Sequence, residues 1–395
     1  MQKFFLTELI LLIFYSSCFP QVIQPEDNVT TGAERTEQYV NYLKNKNIAL
    51  CVNQTSVLGN KNLIDTLLHY HLTIKKIFAP EHGFRGKGDA GENILNTIDS
   101  ATKIPVISLY GNHLKPQPAD LNDLDVIVYD IQDVGVRCYT YISTLHYLME
   151  SCAENNIELF ILDRPDPNGF YVDGPVLDTA FRSFVGLDPV PLVYGMTTAE
   201  YALMLNGERW LSNGEQCKLR YVTCGGYDHN MMYSLPVTPS PNLRDMTAIY
   251  LYPSLCFFEG TTVSVGRGTD KPFKVIGFPL FKGGNVVFTP VSMAGAKNPP
   301  YLNVKCHGKD LSGLNTGFFF ENKKILLQWL MTMYEATPGK DKFFIPFFDK
   351  LAGTDKLRIQ IEKGVAEMEI RRSWEPGLSQ YKVTRKKYLL YPDFD

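Results

Sequence analysis

The chain has 395 residues, 45% of them hydrophobic, and a formal net charge of -3. That length accommodates one large α/β unit and a second, smaller unit, each with its own core, and the composition suits a folded protein rather than a disordered one. Near-neutral charge with scattered basic residues gives no electrostatic case for nucleic acid.

At the N-terminus, Lys3 precedes an apolar stretch from Phe4 to Tyr15 and then Ser16-Ser17-Cys18. This is the layout of a secretory signal, and the run is too short to span a bilayer. The small pair before Cys18 resembles a bacterial lipoprotein box. Residues 1–18 are therefore expected to direct export, to the periplasm or the outer membrane. Cys18 is the expected point of lipid attachment to the membrane. Residues 19–36 read as a polar tether. The eight cysteines are widely spaced with no C-x-x-C pair, so neither a zinc site nor a redox motif is expected.

Residues 37–224 alternate short apolar runs with helical patterns. Strands are expected at Ile48–Val52, Ile74–Ala79, Pro105–Leu109, Val126–Asp130 and Leu159–Asp163. A helix begins near Thr140, with Tyr141, Leu145, Leu148, Met149 and Cys152 on one face. This alternation predicts an α/β fold, a Rossmann-like parallel sheet with helices on both faces. Residues 225–395, rich in Pro and Gly at first, read as a smaller α+β domain forming the other wall of a cleft. Each expected strand is followed by polar residues: Asn53-Gln54-Thr55, Glu81-His82, Tyr110-Gly111-Asn112, Gln132-Asp133 after Asp130, and Asp163-Arg164-Pro165-Asp166. The carboxyl ends of parallel strands form one edge, where ligands bind.

Four segments could carry chemistry. The loop Pro80–Glu92 holds Glu81, His82, Arg85 and Glu92 among four glycines, and two carboxylates beside a histidine can be tuned apart as acid and base. Its Gly86–Gly91 portion matches G-x-G-x-x-G only formally, since Glu81, His82 and Arg85 separate it from the strand, so no nicotinamide or flavin is expected. The segment from Asp130 through Gln132, Asp133 and Arg137 to Tyr141 places two acids at a buried strand end, where carboxylates need a partner or a task. Asp163 and Arg164 either pair with each other's neighbours or bind substrate. In the second unit, Asn242, Glu259 and Arg267 occupy turn-rich segments, and arginine there suits capture of an anionic group. Elbow, zincin and P-loop motifs are absent from the sequence.

Together these segments resemble the NamZ-type exo-β-N-acetylmuramidase family. The resemblance runs through Val52–Ser56, Pro80–Gly86 with Gly91-Glu92, Asp130–Ser143, Leu162–Gly169, Val185-Gly186, Tyr194–Thr197, Pro239–Asn242 and Phe258–Phe273. It implies cofactor-independent release of terminal N-acetylmuramic acid from peptidoglycan-derived oligosaccharides, at a site between two domains. It also implies Glu81 as the catalytic acid, with His82 and Arg85 orienting it or the substrate. Glycoside hydrolysis needs a second carboxyl group, for which Asp130, Asp133, Glu92 and Glu259 are candidates. Arg267, Arg164 and Arg137 are candidates for the lactyl carboxylate. A non-catalytic glycan-binding lipoprotein and a deacetylase or esterase on the same scaffold are the competing readings.

Overall fold

The computed structural model describes residues 29–394 apart from Lys87, Ala90, Asn93 and Ile94. The expected signal and Cys18 lie outside the described residues. Seven strands form the central sheet: β1 (Asn47–Val52), β2 (Thr73–Ala79), β3 (Thr97–Ile98), β4 (Pro105–Ser108), β5 (Val126–Asp130), β6 (Glu158–Leu162) and β7 (Lys218–Val222). Their order is β3-β4-β2-β1-β5-β6-β7. All neighbours are parallel except β3, which pairs antiparallel with β4.

Side chains of a strand alternate between the two faces of its sheet. Ile48, Leu50 and Val52 of β1 accordingly enter one apolar cluster, and Ala49 and Cys51 enter the other. Burial on both faces explains the unbroken apolar runs of β1 and β5. The helix Tyr141–Glu154 starts where its pattern predicts, with Thr140 at the cap position. Two strands escape the sequence pattern. β3 has only two residues, and β7 is an edge strand whose Lys218, Arg220 and Tyr221 are exposed. The last part of the expected tether belongs to the fold: Thr30 bridges to Gly225, the Gly32 amide donates to the Asp163 carbonyl at 2.8 Å, and Ala33 is buried.

Beyond β7 the helix Met246–Leu255 leads into a turn through Gly260. An antiparallel sheet of β8 (Val275–Phe278), β9 (Val286–Phe288) and β10 (Cys306–Asp310) follows, in the order β8-β10-β9. The chain closes with helices, the last being Glu367–Arg385. This second unit shares the larger apolar cluster with one face of the first sheet. Its end returns to that sheet. The Tyr381 hydroxyl donates to the Tyr194 carbonyl at 2.8 Å, and that of Tyr391 donates to Asp163 Oδ2 at 2.6 Å.

Candidate active site

The chain winds outward from β1 through β2 to β4, then returns to start again at β5 beside β1. The crevice outside the carboxyl ends at such a reversal is where an open α/β sheet takes its ligand. The strap Thr238–Leu243 closes over it. The Pro239 carbonyl accepts hydrogen bonds from Gln54 Nε2 at 2.9 Å, the Tyr139 hydroxyl at 2.8 Å and the Tyr141 hydroxyl at 3.3 Å. Tyr141 thereby anchors the strap, and so does Asn242, whose amide holds the Gly295 carbonyl at 2.8 Å.

Under this strap lies a cavity of about 390 Å³. Glu81 and His82 reach it from the loop after β2, Tyr110 from the loop after β4, and Thr140 from the start of the long helix. Glu259 and Arg267 reach it from the second unit. The turn carrying Glu81 has two consecutive left-handed residues, His82 at φ 69° and Gly83 at φ 77°. It is closed by the Gly83 amide on the Pro80 carbonyl at 2.9 Å. Gly86 also has positive φ, and a β-carbon there would strike the Gln54 side chain. Only glycine lets this turn approach the loop after β1 so closely.

Glu81 Oε2 accepts from the Thr140 hydroxyl at 2.6 Å and Oε1 from the Gly91 amide at 3.0 Å. Tyr110 sits against the same carboxylate, and burial together with that charge pushes its phenol well above the ordinary value. His82 Nδ1 lies 2.8 Å from the Gly88 carbonyl. A carbonyl can only accept, so the neutral ring carries its proton on Nδ1 and keeps Nε2 as an acceptor. Opposite in chain origin, Glu259 Oε1 takes two hydrogen bonds from Arg267, at 3.1 Å from Nε and 2.6 Å from Nη2. Burial works against the Arg267 charge, yet the carboxylate of Glu259 and then that of Glu81 hold its pKa above the ordinary value. The cavity therefore brings together two carboxyl groups in different company, one among hydroxyl and amide donors and one on a guanidinium.

The other expected site residues are placed elsewhere, and each for a physical reason. Asp130 is fully buried and ion-paired with Arg164, whose Nε approaches Oδ1 at 2.5 Å and Nη2 approaches Oδ2 at 2.9 Å. Each is the other's partner, and neither lines the cavity. Asp133 accepts from the Gly135 amide at 2.7 Å and from the Tyr194 hydroxyl, and burial pushes its pKa up to about 6. Gln132 spends its amide on the Asp133 and Pro165 carbonyls at 2.9 and 2.7 Å. Asn53 caps its own turn, taking the Thr55 amide at 2.9 Å and hydroxyl at 2.6 Å. Arg137 is buried, donating to the carbonyls of Pro175, Val190, Leu351 and Ala352 at 2.7–3.1 Å, so it ties the two units together. Asp163 holds the Ala199 amide at 2.9 Å and the Tyr391 hydroxyl. Arg85 pairs with Asp99 at 2.8 Å and stacks on Phe84, facing away from the cavity. Glu92 meets Lys297 at 2.6 Å and, with Asp89, clasps the loop to the second unit. The ammonium of Lys297 lowers its pKa.

Residues that the sequence does not single out as site candidates complete the cavity. Tyr110 and Phe184 meet edge to face with centroids 5.7 Å apart, and Tyr252 and Phe273 add further aromatic surface. Tyr110 stands in one of the five strand-end loops, which was a usable signal. Phe184 arrives from a distant loop with no local mark. Among the described residues no cluster of His, Cys, Asp or Glu is arranged to hold a metal ion.

The chain is similar to known proteins over most of its length. Residues 48–247 match the family described as exo-beta-N-acetylmuramidase NamZ, N-terminal, and residues 250–391 match its C-terminal counterpart. The chain is 38% identical over 383 residues to peptidoglycan beta-N-acetylmuramidase NamZ of Bacillus subtilis (strain 168), covering 92% of this chain and 91% of that one. Two crystal structures of DUF1343 family proteins from Bacteroides fragilis share the fold. One is 49% identical with a TM-score of 0.86, covering 93% of this chain and 99% of its own. The other is 28% identical with a TM-score of 0.77, covering 93% and 100%.

Proposed function

Since the chain belongs to the exo-beta-N-acetylmuramidase NamZ family of glycoside hydrolases, we propose that it releases N-acetylmuramic acid from the non-reducing end of peptidoglycan-derived glycans. The observation that carries the proposal is the meeting of Glu81 and Glu259 in one cavity, with Glu259 alone fixed on an arginine. Glu259 is held by the Arg267 guanidinium and Glu81 by the Thr140 hydroxyl and the Gly91 amide, so the cavity supplies the two carboxyl groups, in different surroundings, that glycoside hydrolysis needs. Glu81, on the Pro80–Gly86 turn and facing the cavity, is the acid that protonates the departing glycosidic oxygen. Glu259 acts at the anomeric carbon, directly or through water. His82, its ring fixed through Gly88, orients the substrate beside Glu81. Of the three arginines considered for the lactyl carboxylate, Arg137 and Arg164 are consumed inside the fold, which leaves Arg267. The Tyr110 and Phe184 rings offer apolar faces to a sugar.

The test is turnover of a chromogenic β-N-acetylmuramide beside the matching N-acetylglucosaminide. Wild type should cleave the muramide alone. Glu81→Gln and Glu259→Gln should each lower kcat by about 10²–10⁴-fold, the span of acid–base contributions. Tight binding of the sugar without turnover by wild type would replace the enzyme with a glycan-binding protein.

Residues 1–18 support export, and Cys18 supports a lipid anchor. Mass spectrometry of the mature N-terminus should find an acylated Cys18 in wild type and none in Cys18→Ala. An intact, unmodified leader would sink this part.

A further inference from the structure

We propose that a second groove beside the cavity binds the leaving end of the substrate, a neutral N-acetylated hexosamine and the glycan that follows it; this rests on the hydrolase reading above. The cavity's volume of about 390 Å³ lies near the lower end of the roughly 300–1,000 Å³ of small-molecule pockets. That volume suits one substituted sugar ring rather than a longer glycan. An enzyme that removes one sugar from a chain end must let the remainder of the chain out past its catalytic groups. The groove, of about 430 Å³, meets the cavity at Gly91 and Arg267, which line both. Those two residues contact Glu81 and Glu259, so the junction falls where the scissile bond would lie.

The groove is a built feature. Asp89 and Glu92 form one wall, and residues 295–300 form the other. Asp89 fixes their separation by accepting from the Gly295 and Lys297 amides at 2.9 and 2.7 Å. Gly268, at φ 81°, lets Pro299 press on the turn that carries Arg267, where a β-carbon would lie 2.5 Å from the proline ring. The exposed Pro300 ring and Asn298 side chain suit the apolar face and the amide of an N-acetylated sugar. A third groove touches the cavity only through His82 and runs behind the Glu81 turn, away from Glu259. It offers no such exit.

Asn298 takes no part in the clasp, so Asn298→Trp fills the groove without loosening the loop. Two substrates of wild type and variant are compared, an aryl β-N-acetylmuramide and the disaccharide of N-acetylmuramic acid on N-acetylglucosamine. For the variant, kcat/KM on the disaccharide should fall about tenfold and that on the aryl muramide should stay within about twofold. Should Asn298→Trp melt several degrees below wild type, Pro300→Trp makes the same comparison. Equal loss on both substrates, or an unchanged rate on the disaccharide, overturns the groove. Wild type cleaving neither substrate overturns the hydrolase reading itself, a result distinct from either.

Discussion

Asp133 shows how burial separates a polar residue's structural cost from a catalytic role. Its carboxyl is raised to about 6 by desolvation, against the pull of Tyr194 and two backbone amides. A folded pKa above the unfolded value means that the native state binds the extra proton between about pH 4 and 6. Stability supplied by that proton is complete below pH 4 and is lost as pH climbs through 6. A shift of about two units corresponds to about 3 kcal/mol. Asp133→Asn removes the titration. Its melting temperature should therefore change less than that of wild type between pH 4 and 7, while hydrolysis is retained. Abolished turnover in a stably folded Asp133→Asn would return this residue to the list of acids. The same reasoning separates Arg137 from Arg267: both are arginines in glycine-rich surroundings, but one is spent on four carbonyls and the other faces the cavity.

At the level of elements, the long helix Tyr141–Glu154 is joined through His146 to Asp188, a few residues beyond Phe184 of the cavity. The imidazole lies 3.0 Å from Asp188 Oδ1 on one side and 3.2 Å from Glu150, one turn along the helix, on the other. Burial disfavours its charge, but the two carboxylates outweigh burial and raise the pKa to about 9. The stabilisation is full below pH 6.5 and disappears as pH rises through 9, about 3 kcal/mol in all. Thermal unfolding between pH 7 and 10 should show that loss, and His146→Gln should flatten it; an unchanged slope would discount the cluster. Much of this level was readable in advance. β1, β5 and β6 announce themselves because strands buried on both faces are apolar along most of their length, and β2 and β4 through shorter apolar runs, Ile77-Phe78-Ala79 and Val106-Ile107. β7 does not, since an edge strand can be Lys-Leu-Arg-Tyr-Val and still pair. The site was half legible. Glu81 stands in a glycine-rich turn after a strand, and Glu259 in a turn with no strand before it. The acids and arginines at the strand ends looked catalytic because their partners are remote in sequence. Arg164 is 34 residues from Asp130, and Tyr391 is 228 from Asp163.

Across the whole molecule the two units behave as one. The last residues reach back beneath the sheet: the Leu390 amide donates to Glu200 at 2.8 Å, Tyr391 to Asp163, and Arg385 pairs with Asp393. Deleting the residues after Lys386 strands two buried carboxyl groups and a slot for an aromatic ring, at a cost of about 3 kcal/mol or more. Full-length protein should melt in a single calorimetric transition and the truncated chain in one well below it; two resolved transitions in the full chain would separate the units. The same closed interior surrounds seven thiols, at Cys51, Cys138, Cys152, Cys217, Cys224, Cys256 and Cys306, all buried and unpaired. They sit under both halves of the chain, and none can meet an alkylating reagent until its own surroundings part. Each is thereby a native clock for the opening of its neighbourhood, so that the order in which the seven become labelled is the order in which this protein comes undone.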